Sequence, residues 1–447
     1  MVTADPISGA ASTSGAPSAA ATREQLRRLI RAIEARPTPT TPAAPHQPLA
    51  PALPLEQALP GAWVRDDAGL LTTTRVHELD HLHGTQPLHD LRTATGPMLA
   101  LLGRDAALGR RTLGELLFLD IETTGLGGAG AMVFLVTTGR VEADRFMLRQ
   151  YLAPSPAEEG TLLVRLIADC LASSGRSSAE RPLLVTYNGR TFDAPMLDQR
   201  ATMHRMRAGF EALDHLDLLA TVRRGFRGLL PSCRLAQIEV TALGVTRPSD
   251  EVSGAEVPAW YFRFLRGGDA RYIAPLIAHN AYDVLSLAAL TGRLAAVASS
   301  SGTAHPTATA ARPGTAIERL AAGRLWLSAG QAASIPGDYL EASAHLEAAA
   351  AALDEGWPRD EALLTLATLH RRAGRREAAA ALWAQLAHRP GAARVQPLTE
   401  LAKYQEHTTR DPAAALEMVD HAIAAGGETP ELAHRRDRLQ RKLGIAS

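Results

Sequence analysis

Asp120 and Glu122 stand two positions apart in Phe-Leu-Asp-Ile-Glu, residues 118–122, a run that reads as a strand. Side chains alternate across a strand, so positions i and i+2 share a face and both acids point the same way from an otherwise apolar segment. Two like charges placed so close are costly without a counter-charge. A hard divalent cation meets that need, because Mg²⁺ and Mn²⁺ take oxygen ligands and neutralise clustered carboxylates.

Two further segments can supply partners. Residues 183–193, LLVTYNGRTFD, read as an apolar strand from Leu183 to Thr186, an Asn-Gly turn at Asn188 and Gly189, and Asp193 at the start of a helix. Residues 276–290, LIAHNAYDVLSLAAL, have helical apolar spacing that puts His279 and Asp283 at i and i+4 on one face. Each piece has a plainer reading: a D-x-E arises by chance, an Asp after Asn-Gly is commonly a turn or capping residue, and one histidine on a helix is commonly structural. In this order, however, four carboxylates and a histidine make a specific combination.

That combination resembles the three exonuclease motifs of the DEDD superfamily, whose fold is ribonuclease-H-like. The resemblance runs over roughly residues 56 to 295. FLDIETTGLGGAG, VTYNGRTFDAPMLDQR, HLDLLATVRR, SCRLAQIE with LGVTR, and AHNAYDVLSL follow one another as in the bacterial YprB family of ribonuclease-H-like exonucleases. The resemblance implies an α/β fold, a ribonuclease-H-like mixed sheet flanked by helices, followed by an all-α region of tetratricopeptide-like repeats. It implies a divalent-metal-dependent 3′–5′ exonuclease in which Asp120, Glu122, Asp193 and Asp283 hold two Mg²⁺ or Mn²⁺ ions. His279 would then deprotonate or orient the attacking water. DNA is the favoured substrate, in repair alongside a helicase bound through the repeats. The superfamily's third motif is H-x4-D or Y-x3-D, and here His279 stands at the tyrosine spacing with Tyr282 directly before Asp283; its role as base rests on the family and not on the spacing. Two alternatives stay open: an RNA-directed exonuclease, since nothing in the chain identifiably reads a 2′-hydroxyl, and a catalytically silent nucleic-acid-binding scaffold, against which the complete acid set counts.

At 447 residues the chain has room for about two or three domains. Its two cysteines, Cys170 and Cys233, lie far apart, which argues against a disulfide framework or a cysteine-ligated zinc. No run approaches the ~18 uninterrupted apolar residues of a membrane span, and the N-terminus lacks a basic-then-apolar signal, so a cytoplasmic location is expected. Net charge is zero, and residues 104–293 hold 22 arginines against 21 acids. Metal would absorb several acids and leave arginine for phosphates. The run from Arg223 to Arg234, with Arg223 and Arg224 foremost, is the local candidate, weighed equally against a solvated helix end and loop. Thr123, Thr124 and Asn188, beside the motif carboxylates, complete the expected nucleic-acid contacts.

Residues 1–55 are rich in Ala, Pro, Ser and Thr and predict a disordered N-terminus with one short helix, at 23–35. An extension at 56–112, the nuclease domain at 113–295, a linker at 296–315 and helical repeats at 316–447 follow. Leu366-Ala367, Ala378 and Ala381 recur as Leu401-Ala402, Ala413 and Leu416, a 35-residue spacing close to the ~34-residue tetratricopeptide period. An ordinary helical bundle is the plainer alternative. Two strings imitate other enzymes. HELDH at His77–His81 satisfies the zinc-protease motif H-E-x-x-H, but LTTTRV before it makes a poor helix, and a structural extension is the preferred reading. GLGGAG at 125–130 satisfies a dinucleotide-binding pattern, yet AMVFLVTTG after it reads as a strand where a helix would be required.

Overall fold

A computed structural model describes residues 54–125, 130–171, 181–247, 251–299, 315–330 and 339–445. The expected N-terminal disorder and helix, residues 126–129 of the glycine-rich string and most of the linker lie outside the described residues. Seven strands form one mixed sheet: β1 Trp63–Arg65, β2 Leu71–Glu78, β5 Leu116–Thr123, β6 Val133–Glu142, β7 Arg145–Leu152, β8 Leu183–Thr186 and β9 His215–Asp217. The short pair β3 Leu82–His83 and β4 Gln86–Pro87 stands apart. The sheet order is β1-β2-β7-β6-β5-β8-β9, antiparallel from β1 to β5 and parallel from β5 through β8 to β9. AMVFLVTTG thus enters strand β6, as its β-branched content requires, and pairs with β5.

Strand β5 shows how the sequence splits two cores. Leu116 and Phe118 face one buried cluster, and Leu117, Leu119 and Ile121 face the other. That is the two-residue period of a strand covered on both faces, and it puts Asp120 and Glu122 on the Phe118 side at the strand's C-terminal end.

Helices cover both faces: α1 Gly96–Gly103, α2 Glu159–Leu171, α3 Asp193–Met203, α4 Leu218–Phe226, α5 Val257–Gly267 and the long α6 Ala274–Ser299. Helix α6 lies on the Phe118 side, packed against β5 and β6. A Cβ on Gly292 would meet Leu91 N at 2.7 Å, so glycine is what lets α6 cross the 3₁₀ turn Leu88–Thr93 this closely. By length and composition alone α6 is apolar enough to cross a membrane, but 67 % of its most apolar window is buried inside the protein. It is the central helix of a core.

The remainder is helical: α7 Ala316–Ala329, α8 Tyr339–Ala352, α9 Trp357–Arg372, α10 Arg376–Ala387, α11 Val395–Tyr404, α12 Pro412–Gly426 and α13 Pro430–Leu443, each packed on its sequence neighbours. The first of these is continuous with the nuclease core. Ala321, Ala322, Leu325 and Ala329 of α7 belong to the same buried cluster as Phe118 and Val284. A Cβ on Gly225 would stand 3.2 Å from Ala321 Cβ, so α4 and α7 meet nearly backbone to backbone. Arg293 of α6 and Glu318 of α7 form an ion pair at 2.7 Å with side chains 0 % and 2 % exposed.

Candidate active site

The structure brings Asp120, Glu122, Asp193, His279 and Asp283 to one place, at the C-terminal end of β5. Asp193 opens α3, its neighbours Tyr187 and Asn188 turning the chain just after β8; β8 lies beside β5 in the sheet, so the second motif arrives next to the first. Asp283 and His279 face them from α6, where Phe118 and Val284 share a cluster below. His279 Nε2 stands 3.8 Å from Glu122 Oε1 and 3.7 Å from Asp283 Oδ2.

Electrostatics mark the cluster. Burial and then repulsion from Asp283 and Asp193 hold both Asp120 and Glu122 well above the usual carboxylate range. Burial pushes Asp193 up to about 7, with Asp217 and Asp283 adding to the shift and backbone N–H groups of Asp193 and Ile121 opposing it. Asp283 is likewise raised, by burial first, against the pull of His279 and Arg247.

Several positioning groups are absent from the sequence reading. Asn280, fully buried, donates from Nδ2 to Asp120 Oδ2 at 2.6 Å. Its Oδ1 accepts from Thr137, whose hydroxyl accepts from Gln150 Nε2 at 2.8 Å; Gln150 also donates to Ile277 O at 3.0 Å. Asp120 is thereby fixed through a chain that ties β6 and β7 to α6. On the other side Arg247 binds Glu239 at 2.6 Å and Glu251 at 2.9 Å, and it also bonds Asp283. Glu251 Oε1 lies 2.8 Å from His279 Nδ1. With Nδ1–H donated to that carboxylate, Nε2 carries the lone pair and faces Glu122 and Asp283, the orientation a base needs. Arg247 Nη1 is 3.2 Å from the same Nδ1, but a guanidinium only donates, so the carboxylate is the partner that satisfies the N–H. The Asn in A-H-N-A-Y-D was the available signal for Asn280; Arg247 and Glu251 stand in a sequence, TRPSDEVS, with no helical or strand periodicity to expose them.

Of the expected nucleic-acid contacts, Thr123 donates to Gly125 O at 2.7 Å and Thr124 Oγ1 accepts from Met132 N at 3.0 Å, so both brace the loop after β5. Asn188 sits at φ 72°, its N–H on Asp217 at 2.8 Å, with its side chain at the lip of a cleft. Arg223 lines that cleft, exposed. Arg224 instead turns inward and donates to the backbone carbonyl of Leu102.

The zinc-protease string has no helix to place its histidines. His77 and Glu78 end strand β2, and the His77 and His81 rings lie 4.5 Å apart. His83 is buried, bonded to Ser286 Oγ at 2.7 Å and packed on the Tyr282 ring. Ser286 in turn donates to Glu239, the acid that holds Arg247, so the extension braces the site from behind. Near the C-terminal end Arg435, Arg438 and Lys442 converge on Glu406, whose side chain is 1 % exposed.

As placed, no three carboxylate or imidazole groups among the described residues converge closely enough to share one ion, Asp283 being drawn to Arg247. The donor set nonetheless fits hard divalent cations: four carboxylates, Glu122 and Asp193 buried and Asp120 and Asp283 partly so, all raised by desolvation and by one another, a charge excess that a dication relieves.

A mixed sheet with this strand order, and acids at the end of the strand where antiparallel pairing gives way to parallel, defines a class. Residues 117–295 match the RNase_H superfamily, so the domain is ribonuclease-H-like and nucleic acid is the substrate its class hydrolyses. Over 337 residues the chain is 31 % identical to "Uncharacterized protein YprB" of Bacillus subtilis (strain 168), covering 73 % of this chain and 75 % of that protein. The chain belongs to the YprB family of this superfamily.

Proposed function

We propose that the protein is a divalent-metal-dependent 3′–5′ exonuclease, acting on DNA in a cytoplasmic repair context. The observation that carries this reading is the meeting of Asp120, Glu122, Asp193 and Asp283, all with raised carboxyls, in front of His279 Nε2. Mg²⁺ or Mn²⁺, held by the four carboxylates, would supply Lewis acidity for water and leaving oxygen. Asp120 is oriented for ligation by Asn280, and Glu122 and Asp283 by their place on facing elements. His279 takes the proton of the attacking water at Nε2, while Glu251 holds the tautomer through Nδ1–H and stabilises the imidazolium that forms. Arg247 fixes Glu251 and Asp283 relative to each other. The helical region, read as tetratricopeptide-like repeats, is suited to docking a partner such as a repair helicase.

The test is degradation of a strand labelled at either end, with Mg²⁺ or Mn²⁺ titrated and DNA and RNA run side by side. Shortening from the 3′ end that stops on chelation, faster on DNA, is expected. Endonucleolytic products or metal-independent cleavage would contradict the proposal.

A further inference from the structure

A cleft of about 540 Å³ opens next to the turn after β8, lined by Tyr187 and Asn188 on one side and Arg223, Arg227 and Arg234 on the others. No Asp or Glu lines it. All three arginines are exposed, and none of their guanidinium groups has a carboxylate or hydrogen-bond partner among the described residues. By contrast Arg111 is held by Asp214, Arg200 by Glu159, Arg247 by Glu239 and Arg293 by Glu318. Clustered, unpartnered guanidiniums on one concave surface are the footprint of a polyanion.

The far lip comes from the helical region. Trp357, the first residue of α9, is 52 % exposed, and a Cβ on Gly228 in the cleft wall would lie 3.9 Å from its Cζ2. The lip is anchored: Leu229 packs in the cluster of Leu320, Leu346 and Leu363, and Arg324 donates to Gly225 O at 3.1 Å and Arg227 O at 3.0 Å. An exposed indole held beside three free guanidiniums combines a stacking face with phosphate-binding charge.

We infer that this cleft binds a single-stranded segment of nucleic acid, with phosphates on Arg223, Arg227 and Arg234 and an unstacked base on Trp357. Along its length a duplex offers no free base face to the indole, so the single strand is the form selected. The cleft lies past the C-terminal ends of β8 and β9, and its residues Tyr187 and Asn188 lead directly to Asp193. On the exonuclease reading, on which this assignment of direction rests, the cleft holds the strand leading to the end that enters the carboxylate cluster. The helical region then completes the substrate groove.

The experiment is fluorescence anisotropy of the full-length protein with a labelled oligothymidylate of about 12 nucleotides, in chelator so that no strand is cut. Trp357→Ala should weaken binding by about five- to a hundredfold, and Trp357→Phe, which can still stack, should retain most of the affinity. The triple change Arg223→Ser, Arg227→Ser, Arg234→Ser should flatten the slope of log affinity against log salt by about two. A matching blunt duplex should bind more weakly and be indifferent to Trp357. Unchanged affinity and salt slope in variants with wild-type circular dichroism, or equal losses for Phe and Ala, would overturn the inference. So would a wild-type protein that does not bind the oligonucleotide. If the variants behave as expected while wild-type protein with Mg²⁺ or Mn²⁺ leaves the strand intact, the cleft stands and the exonuclease reading falls. If the wild type degrades the strand and the variants bind normally, the reverse holds.

Discussion

Burial and the neighbouring carboxylates hold Asp120 and Glu122 against ionisation, and Asp193 beside them is pushed to about 7. The sign of the consequence follows from linkage. An unfolded aspartate releases its proton near pH ~4, so the stability tied to the protonated folded form is present below that value and is lost as pH rises towards about 7. The metal-free protein should therefore melt at lower temperature as pH rises through this window. A divalent ion reverses the loss, so Mn²⁺ should raise the melting temperature more at about pH 8 than at about pH 5, as calorimetry can check; an equal rise at both would contradict the clustered-carboxylate account. His279→Ala should lower turnover by about 10²- to 10⁴-fold, leave Mn²⁺ affinity close to wild type, and move the acidic limb of the pH–rate profile. An unchanged profile would return His279 to a packing role. The five residues that meet were legible because each lies on an element whose periodicity is strong. Glu251 and Arg247 were not, because the sequence around them, TRPSDEVS, carries no periodicity that would place them at the site.

Helix α6 does the joining between motifs. One turn of it carries His279, Asn280 and Asp283, and the next carries Ser286, which connects to the extension through His83. The sequence showed this as an apolar helix with two functional residues, and the i to i+4 pairing of His279 and Asp283 is what the structure has. Its register against β5 was not legible, since Asn280 selects that register through the Asp120 and Thr137 bonds between elements distant in sequence. Asn280→Leu removes the donor to Asp120 and leaves the buried Thr137 hydroxyl short of its partner. It should destabilise by about 1–3 kcal/mol in denaturant melts and lower turnover at least tenfold at saturating metal. Wild-type turnover in a destabilised variant would show that the Asn280 bond is structural only.

At the scale of the whole molecule, length and composition pointed to a nuclease followed by separate repeats across a linker. The 35-residue recurrence does fall on stacked helices, with Leu366 and Leu401 both buried. What the pattern did not reveal is that α7 shares the nuclease core, because alanine-rich surfaces such as Ala321 and Ala322 look the same whether they face a sister helix or another domain. The Gly225 to Ala321 approach and the buried Arg293–Glu318 pair decide it. A chain ended near residue 299 loses Glu318 and exposes the α4 and α6 faces that α7 covers. It should melt well below the full chain, with the pair alone worth about 3–5 kcal/mol, and should aggregate where the full chain is soluble. A truncated protein with an unchanged melting temperature would contradict the shared core.

If the four carboxylates form a metal-dependent hydrolytic site, Asp120→Asn must disable it, because the change removes one charge while keeping shape. With a 5′-labelled single strand and Mn²⁺, the wild type should shorten the strand stepwise from its 3′ end. Asp120→Asn should do so about a hundredfold more slowly or less, while binding the strand as the wild type does. Degradation by the variant at the wild-type rate would contradict the account.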